Sequence, residues 1–243
     1  MTGPDVIEPL DVRFSEAELA ERRDRIQSFL RETVEAAGAE RCVLGLSGGI
    51  DSTTVAYLTV DELGADALYG LVMPAAASDE ENMSDAERVA EDLGIEYDVI
   101  EIDPFVDRLT DLYPEAGDDQ LAVGNARART RAVLNYFVAN HENGVVLGTG
   151  NRTEAATGYF TKYGDQAVDC NPIGNLYKMQ VRQLARDLGV PEDLVTKTPT
   201  AGLWPDQTDE GELGVDYDTI DAVLALHVHG GAPASATAAH LDV

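Results

Sequence analysis

Segment 43–54 constrains the fold of this 243-residue chain more than any other segment. A short apolar run ends in Ser47-Gly48-Gly49, and a helical pattern begins directly afterwards, an order typical of a β-strand, a glycine loop and a helix N-terminus. Glycine lets a backbone approach a ligand closely, and the unpaired N–H groups of a helix start attract anions. The segment therefore predicts a phosphate-binding loop, beside which Asp51 could share a divalent cation with the phosphates.

The loop differs from two common nucleotide-binding motifs. It lacks the Gly-Lys-Ser/Thr of a Walker A loop and the Gly-x-Gly-x-x-Gly dinucleotide fingerprint. In a plain turn, the glycines would serve packing alone. The order Ser-Gly-Gly-Ile-Asp-Ser instead resembles the pyrophosphate loop of the N-type ATP pyrophosphatases, which split ATP between its α and β phosphates. This resemblance indicates a superfamily without specifying the substrate.

Acidic residues greatly outnumber basic ones. Asp and Glu number 45 against 17 Lys and Arg, which gives a formal net charge of −28. Such a surface repels nucleic acid and argues against a tRNA-modifying enzyme. Because the acids are spread along the chain, they do not indicate a disordered tail. We interpret them as an adaptation to molar salt, where the Debye length falls to about 3 Å. Loss of structure and activity only above molar salt would contradict this interpretation.

The length and composition predict a single cytoplasmic domain over residues 1–243. The residues near Met1 do not resemble a signal peptide, and no apolar run approaches membrane-spanning length. Cys42 and Cys170 have neither metal-binding nor disulfide spacing, so we expect two small buried side chains.

Lysine is rare in this chain. Its three lysines are Lys162, Lys178 and Lys197, all within one short stretch. Because there are only three lysines, their clustering could arise by chance. Their retention among so many acids favours functional roles instead, more strongly for Lys162 and Lys178 than for Lys197.

Strand and helix patterns alternate four times, which predicts an α/β fold: a doubly wound parallel sheet with helices on both faces. The resemblance of the glycine loop implies that this fold is similar to that of the adenine nucleotide alpha hydrolases. Ligands bind at the carboxyl ends of such strands, where loops 47–51 and 148–154 lie. A helix ending at Leu93 would be capped by Ser78 or Asp79. The predicted strands are 42–46, 67–73, 96–102 and 145–147, and the other predicted helices are 16–37, 52–63, 104–112, 120–140, 178–188 and 217–226.

A second segment has the same order of elements as the first: an apolar strand, a glycine-containing loop and a helix start. Segment 145–154 runs from Val-Val-Leu through Gly-Thr-Gly to an acidic helix start. Thr149 could hydrogen-bond a nucleotide, and Glu154 could complete a Mg²⁺ site with Asp51, phosphate oxygens and water. Considered without other motifs, Glu154 is better explained as an acidic residue that the helix dipole favours at a helix start than as a metal ligand.

Two longer motifs resemble those of the NAD synthetases. They are Glu-Ala-Ala-Thr-Gly-Tyr-Phe-Thr-Lys-Tyr-Gly-Asp at 154–165 and Thr-Pro-Thr-Ala-Gly-Leu-Trp-Pro-Asp-Gln-Thr-Asp-Glu at 198–210. The resemblance extends from the first helix to about residue 226. It implies a ligase that uses ATP and Mg²⁺ to convert deamido-NAD to NAD with ammonia through an acyl-adenylate, releasing AMP and pyrophosphate. It also implies a homodimer and leaves a separate glutaminase subunit open.

The resemblance also implies individual site residues, with catalysis assigned to Ser47, Asp51 and Lys178. Mg²⁺ would be held by Asp51 and Glu154. The residues implied for ATP are Gly45, Leu46, Ser47, Gly48, Gly49, Ile50, Asp51, Ser52, Thr149, Lys178 and Thr200, and those implied for deamido-NAD are Arg129, Lys162 and Asp169.

Three arginines lie close together in the predicted helix 120–140. Arg127 and Arg131 are four residues apart and share a helix face, while Arg129 points about 200° away. All three therefore cannot touch one ligand. The motif spacing selects Arg129, and we expect the other two to pair with surface acids.

Segment 196–214 is rich in Pro, Gly, Asp and Thr, which predicts a long loop that is either a functional lid or disordered. With the chemistry that the resemblance implies, we expect a lid that keeps water from the adenylate. Family members carry a further C-terminal His-Lys element that reaches the dinucleotide. Here no lysine follows Lys197, and the short tail 230–243 has no clear pattern. Two alternatives therefore stay open: a related enzyme that amidates another carboxylate, and a catalytically silent nucleotide-binding homologue.

Overall fold

The computed structural model describes residues 10–75, 80–204 and 207–241. Within these residues, parallel strands form one sheet in the order β3-β2-β1-β4. The strands are β1 (Arg41–Leu46), β2 (Leu68–Val72), β3 (Glu96–Val99) and β4 (Gly144–Leu147). Strand β1 pairs with β2 on one side and with β4 on the other. The predicted doubly wound α/β fold is confirmed.

Helices connect and cover the strands. Helix α1 begins at a capping box between Ser15 and Glu18 and ends at Gly38, whose φ is 62°. No helix of the described residues is long and apolar enough to cross a membrane. The α-helices are α1 (Glu16–Ala37), α2 (Ile50–Leu63), α3 (Glu80–Leu93), α4 (Asp103–Leu112), α5 (Gln120–His141), α6 (Arg152–Thr157), α7 (Lys178–Asp187), α8 (Glu192–Thr196), α9 (Asp209–Leu213), α10 (Tyr217–Val223) and α11 (Ala234–Leu241).

Strands β1, β2 and β4 are mostly buried on both faces, as expected for parallel strands between helices, whereas the edge strand β3 is largely exposed. Leu44 of β1 packs in a core shared with α1, α2 and α7, and its neighbour Val43 packs in a second core shared with α5. The two cysteines lie beside β1 and β4. Burial raises the pKa of the Cys42 thiol to about 12 and that of the half-buried Cys170 to about 11, which makes both thiols unreactive.

Several element boundaries differ from the sequence prediction. The predicted strand 96–102 is wrong beyond Val99, because Ile102 turns into the second core and begins α4. The strand predicted at 67–73 starts at Leu68, after a 3₁₀ turn. The predicted caps Ser78 and Asp79 lie outside the described residues.

The C-terminal part is more helical than the sequence suggested. Helix α10 continues into a π-helical segment, Leu224–His229, and the tail predicted to lack a pattern contains α11. Its alanines favour a helix even without a strong apolar face. Segment 196–214, predicted as a loop, contains α9, which is capped by the Thr208 side chain.

Candidate functional site

The glycine loop packs tightly between β1 and α2. The Ser47 hydroxyl lies 3.0 Å from that of Ser52 and accepts the Gly49 N–H at 3.2 Å. Gly48 has a φ of 71°, and a Cβ there would overlap the backbone carbonyl oxygen of Asn82 in α3. This glycine therefore serves both the turn and the close approach of α3, while its neighbours remain open to the cavity below the loop.

We expect Gly48→Ala to destabilise the protein by about 2–4 kcal/mol, because positive φ costs about 1–2 kcal/mol and a steric overlap costs about as much again. Gly38→Ala is the matched control, since Gly38 has a φ of 62° and no atom lies within 4 Å of the position that a Cβ would take there. Urea unfolding in molar KCl measures both variants. Equal losses would contradict the packing role assigned to Gly48.

A buried lysine joins two carboxylates at the ends of β1 and β4. The Lys178 Nζ lies 2.5 Å from Asp51 Oδ2 and 3.5 Å from Glu154 Oε1, and its side chain is only 2% exposed. The Nζ also lies 5.1 Å from the centre of the Tyr217 ring. The structure thus brings Asp51 together with two residues that lie more than a hundred positions further along the chain.

Burial and mutual charge determine the protonation of this cluster. Burial and the neighbouring Asp51 raise the pKa of Glu154 to about 8, although Lys178 opposes the shift. Burial lowers the pKa of Lys178, but Asp51 and Glu154 outweigh it and raise that pKa overall. One lysine therefore faces two carboxylates, of which Glu154 favours its neutral form, and a cation bound beside them would favour the ionised form of Glu154.

Asn151, which the sequence analysis missed, orients both carboxylates. Its side chain is fully buried and donates from Nδ2 to Asp51 Oδ1 at 3.1 Å. Its Oδ1 accepts the Glu154 N–H at 2.9 Å, and its own N–H donates to Glu154 Oε2 at 3.1 Å. The capping-box spacing of Asn and Glu is visible in the sequence, but the contact with Asp51 is not.

A cavity of about 490 Å³ opens over this cluster. Gly48 is absent from its lining, and Arg129, Lys162 and Asp169 lie outside it as well. The predicted site residues that line the cavity are Gly45, Leu46, Ser47, Gly49, Ile50, Asp51, Ser52, Thr149, Glu154, Lys178 and Thr200.

Protein side chains pack against the two glycines of the second glycine-containing loop. A Cβ at Gly148 would overlap the side chain of Asn171, and one at Gly150 would overlap that of Gln166. The Gly150 N–H donates to Asn171 Oδ1 at 3.3 Å. Of this loop, Gly148 and Thr149 reach the cavity.

The residues predicted for deamido-NAD form no single cluster. Arg129 donates from Nε to the Lys162 carbonyl oxygen at 3.1 Å, and the Lys162 Nζ lies 5.0 Å from the centre of the Tyr163 ring. Asp169 instead accepts the Val146 N–H at 2.8 Å and the Tyr136 hydroxyl at 3.0 Å. Arg129 and Lys162 are therefore neighbours, whereas Asp169 borders β4.

The expectation that Arg127 and Arg131 pair with surface acids is wrong for Arg131. That side chain lines the cavity and donates from Nε to the Met73 carbonyl oxygen at 3.0 Å. Burial and the nearby Arg127 lower its pKa to about 10. Arg127 does approach Asp103 at 3.8 Å, but it also donates to the Leu203 carbonyl oxygen at 2.7 Å.

The predicted lid is held over the cavity by polar contacts. The Tyr217 hydroxyl donates to Asp209 Oδ2 at 2.7 Å, and the Tyr159 hydroxyl lies 2.6 Å from Glu212 Oε2. At the start of the segment, Lys197 forms a salt bridge with Asp85 of α3. Asp209 is only 4% exposed; it lies in the motif at 198–210, but the sequence does not show its contact with Tyr217.

Comparisons with known proteins agree on one family. The family model described as NAD synthase matches residues 23–243. An NH(3)-dependent NAD(+) synthetase of Halobacterium salinarum is 83% identical over all of this chain and 91% of its own length. Among solved structures, an NMN synthetase of Francisella tularensis has a TM-score of 0.82 and 37% identity over 94% of this chain and 92% of its own. An NH3-dependent NAD synthetase of Campylobacter jejuni has a TM-score of 0.74 and 30% identity over 92% of both chains.

Proposed function

The chain belongs to the NAD synthase family, and from this premise we propose that it is a ligase that converts deamido-NAD to NAD with ATP and ammonia. The observation that carries the proposal is the buried Lys178 held between Asp51 and Glu154 beneath the glycine loop. A halophilic source agrees with the acidic surface and with the Halobacterium relative.

The first step joins the two substrates. An oxygen of the nicotinate carboxylate attacks the α-phosphorus of ATP, the bond to the bridging oxygen breaks, and pyrophosphate leaves. Lys178 offsets the charge that grows on the leaving pyrophosphate, while Ser47 and the loop N–H groups orient it. No protein nucleophile is needed for this step.

The second step releases the products. Ammonia attacks the carbonyl carbon of the acyl-adenylate, AMP leaves with the former carboxylate oxygen, and the excess proton is lost to solvent. Segment 196–214 would cover the adenylate and exclude water during this step. Its contacts through Asp209 and Tyr217 support such a closed arrangement.

Asp51 and Glu154 suit Mg²⁺ by their chemistry. They offer hard carboxylate oxygens held by Asn151, and an ion bound between them would favour the ionised form of Glu154. Among the described residues, no cluster of three or more His, Cys, Asp or Glu side chains could hold a metal. Two carboxylates with substrate phosphates and water are the usual Mg²⁺ arrangement. When bound, the ion would neutralise phosphate charge.

Arg129 and Lys162 would hold the dinucleotide beyond the cavity. Their contact in the structure supports a shared role, whereas Asp169 would act from the edge of β4. Arg129 lies on the exposed side of α5, in line with Val133 and Phe137 at helical spacing. The dinucleotide site therefore adjoins an apolar surface.

That surface supports a homodimer. Leu121, Val133 and Phe137 of α5 are 62–73% exposed. Leu109 and Leu112 of the adjacent α4 add to the same surface. Apolar patches of this kind mark protein–protein contacts. A second copy of the chain would bury them beside Arg129.

We expect Phe137→Asp to weaken the dimer at least about 30-fold, because a large aromatic side chain in the centre of an interface contributes about 2 kcal/mol or more. Val99→Asp is the matched control, since Val99 is 50% exposed on the edge strand β3. Sedimentation equilibrium in molar KCl measures both. A wild-type monomer, or a dimer unaffected by Phe137→Asp, would contradict the proposal.

A second candidate substrate is the mononucleotide. The Francisella relative, named an NMN synthetase, has the higher TM-score of the two solved structures above, which favours a test of nicotinate mononucleotide. Turnover of both compounds is compared at fixed ATP, Mg²⁺ and ammonium. A kcat/KM at least tenfold higher for deamido-NAD supports the NAD synthetase. The reverse order would make the chain an NMN synthetase, and ATP binding without turnover of either compound would favour the silent homologue.

A further inference from the structure

Helix α7, which begins at Lys178, is capped partly by residues of other helices. Within its own first turn, Gln180 Oε1 accepts the Tyr177 N–H at 3.0 Å, which leaves the first N–H groups of the helix itself without a local partner. The Lys178 N–H instead donates to the Thr153 hydroxyl at 3.0 Å, and the Met179 N–H donates to Asp221 Oδ2 at 2.8 Å. These N–H groups have no partners within the helix, so two other helices satisfy them.

The two outside partners are bonded to each other. The Thr153 hydroxyl donates to Asp221 Oδ1 at 2.5 Å, so both carboxylate oxygens of Asp221 accept a hydrogen bond. Asp221 and Thr153 are both fully buried. A negative charge at this end of α7 is also favoured by the helix dipole. The result is one closed set of contacts among α6, α7 and α10.

Each helix joined by these contacts carries part of the site. Thr153 directly precedes Glu154 on α6, and Lys178 is the first residue of α7. On α10, Tyr217 lies one turn before Asp221, with its ring 5.1 Å from the Lys178 Nζ. Asp221 thus lies where a shift of either helix would change the 3.5 Å separation of Lys178 and Glu154.

We propose that Asp221 is a positioning residue for the reaction, whose buried carboxylate, through Thr153, fixes the helix that bears Glu154 against the helix that bears Lys178. This inference rests on the proposed function and adds a residue from the C-terminal part of the chain to it. Asp221 touches no substrate and acts only through the placement of the two charged groups. Its loss should slow turnover more than it weakens binding of deamido-NAD.

Two pairs of variants separate positioning from folding. Asp221→Ala removes the carboxylate, and Asp221→Asn keeps its shape with one acceptor. Thr153→Val removes the hydroxyl at equal volume, and Thr153→Ser restores it. Thr59→Val is the matched control, because Thr59 is equally buried, donates only to the Val55 carbonyl oxygen of its own helix and lies away from the cavity.

We expect Asp221→Ala and Thr153→Val each to lower kcat about 10- to 100-fold, the usual effect of losing a group that orients an active residue. The KM for deamido-NAD should change less than about threefold. Thr153→Ser should recover kcat to within about twofold of wild type, as should Thr59→Val. The double variant should be no slower than the slower single variant, because both changes break the same set of contacts.

The assays are run in molar KCl at temperatures where each variant is folded by circular dichroism. If Asp221→Ala does not fold, the test of the positioning role rests on the comparison of Thr153→Val with Thr153→Ser. If the folded variants among Asp221→Ala and Thr153→Val have a lower melting temperature but the kcat of wild type, the inference is overturned and Asp221 is only a structural cap. A wild-type protein that forms no NAD would instead overturn the proposed function, so the two failures are distinguishable.

Discussion

Lys178→Met is expected to lower kcat for NAD formation by about 10²–10³-fold at saturating substrates. This is the usual effect of removing a preorganised group that stabilises developing charge in a buried site. The Lys178 Nζ lies below the loop expected to bind the pyrophosphate, and it is the only lysine of the described residues that contacts Asp51 or Glu154. Steady-state kinetics with AMP and pyrophosphate quantified measures the effect.

The variant also tests how Lys178 stabilises the fold. Removing one partner of a buried charge cluster costs about 3–5 kcal/mol. Here the loss should be at the lower end, because Asp51 keeps its bond from Asn151 and Glu154 can take up a proton. Thermal unfolding in molar KCl follows this loss, and kcat is measured well below the midpoint.

Lys162→Met is the matched comparison, because this lysine is exposed and lies outside the cavity. It should raise the KM for deamido-NAD with a much smaller effect on kcat. A kcat of Lys178→Met within threefold of wild type would contradict the assigned role. Unchanged kinetics of Lys162→Met would favour a different carboxylate substrate.

Asp51→Asn is expected to weaken the apparent Mg²⁺ affinity in the presence of ATP by at least about 30-fold. Carboxylate charge is the main attraction for this ion, and Asp51 lies next to the phosphate loop. Glu154→Gln should have the smaller effect, because burial and Asp51 already favour its neutral form and a Gln can still accept the Asn151 N–H. Mn²⁺ binding followed by electron paramagnetic resonance measures affinity independently of turnover.

Asp85→Asn is the control for this pair of variants. Asp85 is also a buried carboxylate paired with a lysine, but its partner Lys197 lies at the start of the lid rather than beside Asp51. We expect the Mn²⁺ affinity of the Asp85→Asn variant to match that of wild type. Equal affinities for wild type and Asp51→Asn would show that the ion does not bind at these carboxylates.

The fold was largely predictable because its signals are local. A helical pattern marks α1, and the apolar run followed by glycines marks β1 and its loop. The same patterns predicted that Asp51 and Glu154 would lie at neighbouring strand ends, because β1 pairs directly with β4. The predicted strand 96–102 extended too far, because Ile102, which is buried in the second core, already has helical backbone angles and precedes α4.

The supporting contacts of the site were not predictable in the same way. Asp209, Tyr217 and Asp221 meet the site only through tertiary packing. Asp209 lies in the motif at 198–210, but neither that motif nor any local pattern shows what the two acids contact. Arg131 was misassigned because helix geometry gives its direction along α5 but not which element covers that face. The contacts of these residues could not be predicted because their partners lie far away along the chain.

The most direct test of the proposed function is a product balance in molar KCl with deamido-NAD, ATP, Mg²⁺ and ammonium labelled with nitrogen-15. The expected result is one labelled NAD for each AMP and each pyrophosphate, with no product when ammonium is omitted. ADP and phosphate as products, or AMP and pyrophosphate without NAD, would contradict ammonia-dependent NAD synthesis by this chain.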